Sequence, residues 1–231
     1  MLLRNSTLMD YDKLELLHNQ LNNNYSNYIS MIAVGSIAVG DPYIPNRSDK
    51  DILLVFNVDP IHYVEEIKNI IAPIGFDESY VFTPINTEFG DPNNFRYAFS
   101  NRFRSKTLFG RDLVLESVLP ASEDIKKIYN RGLKEVFFRL NHCLVNSGNW
   151  SENMIRDNMW KQFKHAFMYL AIKEYYVKGK YPLTRKELVD NSNSMEISET
   201  LRILHSIDAQ SKDSIIECAK NLSGYIVKFI E

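Results

Sequence analysis

The sequence has little cysteine, no long apolar run and no excess of either charge. Its two cysteines, Cys143 and Cys218, are far apart, so neither a disulfide framework nor a metal site with paired ligands is predicted. No uncharged stretch approaches the roughly 18 residues that cross a bilayer, and the first residues lack the apolar core of a signal peptide. The net charge of -2 provides no basic field for nucleic acid or an anionic membrane. We therefore expect a cytoplasmic protein with neither membrane nor nucleic acid as a partner.

The first half of the chain alternates short apolar runs with helical patterns. Leu14, Leu17 and Leu21 have helical spacing, which predicts a helix over 8–24. A second amphipathic helix is predicted in PIHYVEEIKNIIA. Strands are predicted in YISMIAVG, DILLVFNV, ESYVFT and RDLVLESV.

The character of the chain changes after Pro120, where helical periodicity takes over. Helices are predicted over 125–144, 151–176, 197–207 and 211–230, and Thr184 with Glu187 forms a capping-box pattern at the start of another. The predicted fold class is α+β, with a small mixed-sheet domain over 1–118 followed by an all-α helical bundle over 119–231.

One motif carries the chemistry. In VGSIAVGDPYIPNRSDKDILLVF, Gly35 and Ser36 are followed by a turn-rich link and then by Asp49 and Asp51 at the start of an apolar run. Residues two apart in a strand project to the same face, so the two carboxylates lie together. They would repel each other unless a cation lay between them. Mg²⁺ suits this role, because it prefers oxygen ligands and commonly bridges carboxylates to nucleotide phosphates.

The Gly-Ser pair offers a place for a phosphate. Gly35 lets the backbone come close to a ligand, and Ser36 provides a hydroxyl and an N–H. A short helix beginning over 36–39 would add a favourable anion site at its first turn. Phosphate held opposite metal-binding carboxylates predicts phosphoryl or nucleotidyl transfer.

This order of elements resembles the signature of the DNA polymerase β-like nucleotidyltransferase superfamily. The helical second half resembles that of the small antibiotic (aminoglycoside) nucleotidyltransferases. The resemblance implies Mg²⁺, a nucleoside triphosphate and three carboxylates, of which the first two correspond to Asp49 and Asp51. For the third, FDESYVFTP offers Asp77 and Glu78; we choose Glu78, which immediately precedes the apolar run and could also act as general base.

Three arginines are candidates for binding the triphosphate, alongside Gly35 and Ser36. Arg102 and Arg104 lie in the basic aromatic segment FRYAFSNRFRSK, and Arg47 lies just before the carboxylates. The alternative interpretation is a helix with its aromatic side chains buried and its arginines in water.

The predicted function is Mg²⁺-dependent transfer of an NMP, with ATP as the preferred donor, to a hydroxyl of a small molecule such as an aminoglycoside. Two alternatives remain open. The acceptor could be a protein, as in modification of a partner toxin. The domain could also be catalytically inactive and bind a nucleotide or a partner.

Overall fold

The structure is a computed structural model that describes residues 11–42, 44, 47–48, 51–74, 79–84, 99 and 101–230. The chain divides into two compact units, Met1–Pro120 and Ala121–Glu231.

The first unit is built on a mixed four-stranded sheet in the order β3-β2-β1-β4. The central strand β1 pairs antiparallel with both β2 and β4, whereas β2 and β3 are parallel. The strands are β1 Tyr28–Val34, β2 Asp51–Phe56, β3 Ser79–Pro84 and β4 Ser105–Gly110.

Helices of the first unit pack on the sheet with the apolar stripe that the sequence predicts. In α1 (Tyr11–Asn24), Leu14, Leu17 and Leu21 are fully buried in one core cluster with Ile52 and Leu54 of β2. The alternate residues of the same strand face the other side of the sheet, where they pack in a smaller cluster with the helix α4. The helices are α1 Tyr11–Asn24, α2 Ser36–Val39, α3 Val64–Ile71 and α4 Leu113–Glu116, with short 3-10 turns at Pro60–Tyr63 and Ala72–Ile74.

The predicted last strand is wrong in position. RDLVLESV contains the short helix α4, and the strand is Ser105–Gly110 instead. Gly110 ends β4 with φ 81°, and a Cβ there would lie 2.2 Å from the Ile29 oxygen. Asp112 then caps the helix, since its Oδ1 accepts from the Leu115 N–H at 3.3 Å. An apolar triplet therefore forms one helical turn because a glycine and a capping residue precede it.

The second unit is entirely helical in its described part. Ser151 caps α6 and Thr184 caps α7, as the sequence predicts, because each side chain accepts a backbone N–H of the first turn. Among the described residues, no helix is long and apolar enough to cross a membrane. The helices are α5 Ser122–Asn146, α6 Glu152–Lys178, α7 Arg185–Ser192, α8 Met195–His205 and α9 Lys212–Ile226, with 3-10 turns at Ile207–Ala209 and Val227–Phe229.

Candidate active site

One edge of the sheet brings the Gly-Ser motif to the second aspartate. Val34, the last residue of β1, is paired with Asp51, the first residue of β2. On its other side Val34 is paired with Ser105, and Asp51 is paired with Ser79. These four residues form one row across the sheet, which we call the edge row. The chain leaves the edge row directly into Gly35 and Ser36, so the motif residues meet here although 15 positions separate Ser36 from Asp51.

The Gly-Ser turn has a backbone geometry that favours glycine at its first position. Gly35 has φ 72° and ψ -142°, a backbone conformation that residues with a side chain rarely adopt. Helix α2 begins at Ser36 and ends at Val39, which meets the condition stated for an anion site at the Gly-Ser pair. The Ser36 hydroxyl makes no hydrogen bond to any residue in the described part of the chain. It is therefore available to a ligand.

Asp51 is half-buried at the start of β2, on the sheet face that it shares with Leu53 and Val55. Its predicted partners Asp49 and Glu78 lie outside the described residues. Glu78 immediately precedes Ser79, the residue paired with Asp51 in the parallel ladder. Over the described ranges no three acidic, histidine or cysteine side chains cluster as metal ligands, and Asp51 is the one predicted ligand among them.

Arg104 lies at the same edge but binds a carboxylate that the sequence analysis did not single out. Its guanidinium donates to Oδ2 of Asp41 at 2.8 Å. The Asp41 side chain is 0% exposed and that of Arg104 is 13% exposed, so this is a buried ion pair. Because 63 positions separate the two residues, no local pattern could have indicated their contact.

The Arg102 side chain binds backbone carbonyls, and Arg47 lies in a turn. One guanidinium nitrogen of Arg102 donates to the carbonyls of Val114 at 3.1 Å and Leu115 at 2.7 Å, at the end of helix α4. Arg47 lies in a tight turn where its N–H donates to the Ile44 carbonyl at 3.1 Å. The role of the three arginines as phosphate ligands stays a prediction.

Arg111 and Asp112 lie between β4 and helix α4. Asp112 accepts from the Thr107 hydroxyl at 2.7 Å as well as capping helix α4. Arg111 forms an exposed ion pair with Glu116 through two nitrogens. Both residues therefore secure the chain after β4.

Comparison with solved structures gives a full-length match. The chain is similar to a spectinomycin adenyltransferase from Enterococcus faecialis that was solved with ATP and spectinomycin. The TM-score is 0.56 at 14% sequence identity, over 95% of this chain and 100% of that one. The two chains share a fold. No family model matches the sequence, and no curated protein matches it. The likeness agrees with the nucleotidyltransferase resemblance of the motif at the level of architecture.

Proposed function

We propose that the protein is an adenylyltransferase that moves AMP from ATP to a hydroxyl of an aminoglycoside-class antibiotic and releases pyrophosphate. The observation that carries the proposal is the edge row. There a carboxylate and a Gly-Ser turn with a positive φ lie next to each other on paired strands. The fold shared with an adenyltransferase solved with ATP and spectinomycin supports this assignment.

The triphosphate would lie at the Gly-Ser turn. Gly35 has no side chain to block a close approach, and the Ser36 hydroxyl is available to donate to a phosphate oxygen. Holding the phosphate chain here orients the α-phosphorus next to the carboxylate side of the edge row, and such orientation lowers the entropic part of the barrier.

We expect Mg²⁺ to bind at this edge. Asp51, half-buried at the start of β2, has carboxylate oxygens, which are the donor type that this ion prefers. Asp49, Asp51 and Glu78 would hold it, and the bound ion would neutralise charge on the phosphates. Glu78 would also accept the proton of the acceptor hydroxyl.

The acceptor is assigned on the fold likeness, whose relative was solved with a small antibiotic rather than a protein. A direct test incubates the protein with Mg²⁺, α-labelled ATP and a panel of aminoglycosides together with spectinomycin. We expect labelled AMP on one or more of these antibiotics and an equal amount of pyrophosphate. Asp51→Asn should lower the rate about 100-fold or more, as the loss of a metal ligand does.

The matched control is Asp59→Asn, an aspartate just beyond the other end of β2 whose side chain caps a surface turn. It should leave the rate unchanged. Label that appears on a protein of the cell extract, and on no antibiotic, would replace the small-molecule acceptor by a protein. Nucleotide binding without transfer to any acceptor would favour the inactive binding domain.

A further inference from the structure

The buried ion pair of Asp41 and Arg104 lies beside the Gly-Ser turn and is joined to it by the backbone. The Gly35 N–H donates to the Arg104 carbonyl at 2.7 Å. The Asp41 N–H donates to the Ser36 carbonyl at 3.0 Å. Both residues of the pair thus hold the turn through their main chains while their side chains hold each other.

These bonds close a ring. It runs from the Arg104 guanidinium to the Asp41 carboxylate, along the Asp41 backbone to Ser36 and Gly35, and back to the Arg104 carbonyl. The Gly40 N–H also donates to the Ser36 carbonyl, and Gly40 has φ 75°. Because the Asp41 side chain is fully buried and that of Arg104 is only 13% exposed, water has little access to the pair. Loss of the pair would remove the side-chain link of this ring.

We propose that Asp41 and Arg104 are a positioning pair that fixes the Gly35–Ser36 turn in the shape that receives the nucleotide phosphates. The identity of the ligand rests on the proposed function. The effect of the pair on the shape of the turn, which we call the clamp, does not. It assigns Arg104 an indirect role, because its guanidinium binds Asp41 rather than phosphate. It also makes Asp41 as necessary for nucleotide affinity as Arg104.

The clamp is tested without nucleotide by amide hydrogen exchange of the peptide over 34–42, read by mass spectrometry. Asp41→Asn and Arg104→Gln should each speed exchange in this peptide about 10-fold or more, because exchange follows the local opening of hydrogen-bonded units. The control Arg111→Gln removes an exposed ion pair at the other end of β4 and should leave the peptide unchanged. Unchanged exchange in both single variants would overturn the inference.

The role in binding is tested by titration of the same variants with Mg²⁺ and ATP. We expect Asp41→Asn and Arg104→Gln to weaken affinity by similar factors of about 10 to 100, as supporting residues of a site do. The double variant should be no weaker than the worse single variant, because both changes break one interaction. Weakening by Arg104→Gln alone, with Asp41→Asn unaffected or tighter, would make Arg104 a direct phosphate ligand and overturn the inference.

Two further outcomes separate the inference from the function. Arg104→Lys keeps the charge and should recover part of the affinity and of the exchange protection, which covers the case that Arg104→Gln does not fold. If wild-type protein binds no Mg²⁺–ATP, the proposed function fails, whereas faster exchange in the two single variants would still support the clamp.

Discussion

The two ends of strand β1 contrast in chemistry although they belong to one strand. At its start, Tyr28 is buried and its ring meets Phe56 edge-on with centroids 5.5 Å apart. Its hydroxyl lies 3.1 Å from Nδ1 of His18. At its other end, Val34 pairs with Asp51 and leads into Gly35.

The difference separates structural from functional demands. At the start of β1 the Tyr28 hydroxyl lies against His18 and the Ser30 hydroxyl donates to backbone carbonyls, as buried polar groups in a folded core do. At the other end, a carboxylate and a free hydroxyl lie at the rim of the sheet. Substitutions at the first end should change stability, and substitutions at the second should change nucleotide binding.

The largest effect is expected for Gly110→Ala, at the end of the sheet where β1 starts. The new Cβ would lie 2.2 Å from the Ile29 oxygen, and φ would stay at 81°. We expect a loss of about 3 kcal/mol in the free energy of unfolding, measured by urea denaturation. Gly40→Ala is the matched control, because φ there is 75° but nothing lies within 4 Å of the new atom. Equal losses in the two variants would contradict a steric cause.

Ser30→Ala should have the next largest effect. The Ser30 side chain is fully buried, and its hydroxyl bonds the carbonyls of Phe109 at 3.0 Å and Arg111 at 2.9 Å. Its removal leaves those carbonyls without their side-chain donor at a cost of about 1–2 kcal/mol in unfolding free energy. The affinity for Mg²⁺–ATP, measured by calorimetry, should not change. A large change would contradict a purely structural role for the start of β1.

Ser36→Ala should show the opposite pattern. Since the hydroxyl bonds no described residue, its loss should leave the melting temperature unchanged. Loss of a hydrogen bond to a charged phosphate should weaken Mg²⁺–ATP binding by about 10-fold, which corresponds to about 1.5 kcal/mol. Unaltered affinity would show that the hydroxyl does not contact the nucleotide.

The smallest effect is expected for His18, which lies beside Tyr28 at the start of β1. Burial lowers the pKa of His18 below its ordinary value of 6.5, against the opposing charge of Glu15. The unfolded chain then binds the proton more readily, so His18 contributes stability that is present above pH 6.5 and is lost as the pH falls below it. His18→Gln should flatten the fall in urea midpoint between pH 7 and pH 5, values that bracket the ordinary histidine pKa of about 6.5. An unchanged slope would contradict this assignment.

Local patterns predicted most of the elements but not the contacts between them. Leu14, Leu17 and Leu21 predicted α1, and Gly35 predicted the end of β1, because periodicity and turn chemistry are local. β4 was misplaced because SKTLFG lacks strict alternation, whereas the following Leu-Val-Leu imitates a buried strand.

The candidate site was predictable only in part for the same reason. Asp51 and Ser36 were predicted as site residues from their order in the sequence, and the pairing of Val34 with Asp51 brings them to one edge. Asp41 was not singled out because its ion-pair partner, Arg104, lies 63 positions later. An aspartate after a glycine in a turn-rich link has no local feature that distinguishes it from a solvated turn residue.

The central claim is that a nucleotide binds beside the edge row, through Mg²⁺ held by Asp51 of that row and by Asp49. The most direct measurement is calorimetric titration of ATP into wild-type protein and into Asp49→Asn/Asp51→Asn, each with and without Mg²⁺. The account predicts binding to the wild type that requires Mg²⁺ and disappears in the double variant, while Asp59→Asn binds normally. Equal binding by wild type and double variant, or no binding by either, would contradict it.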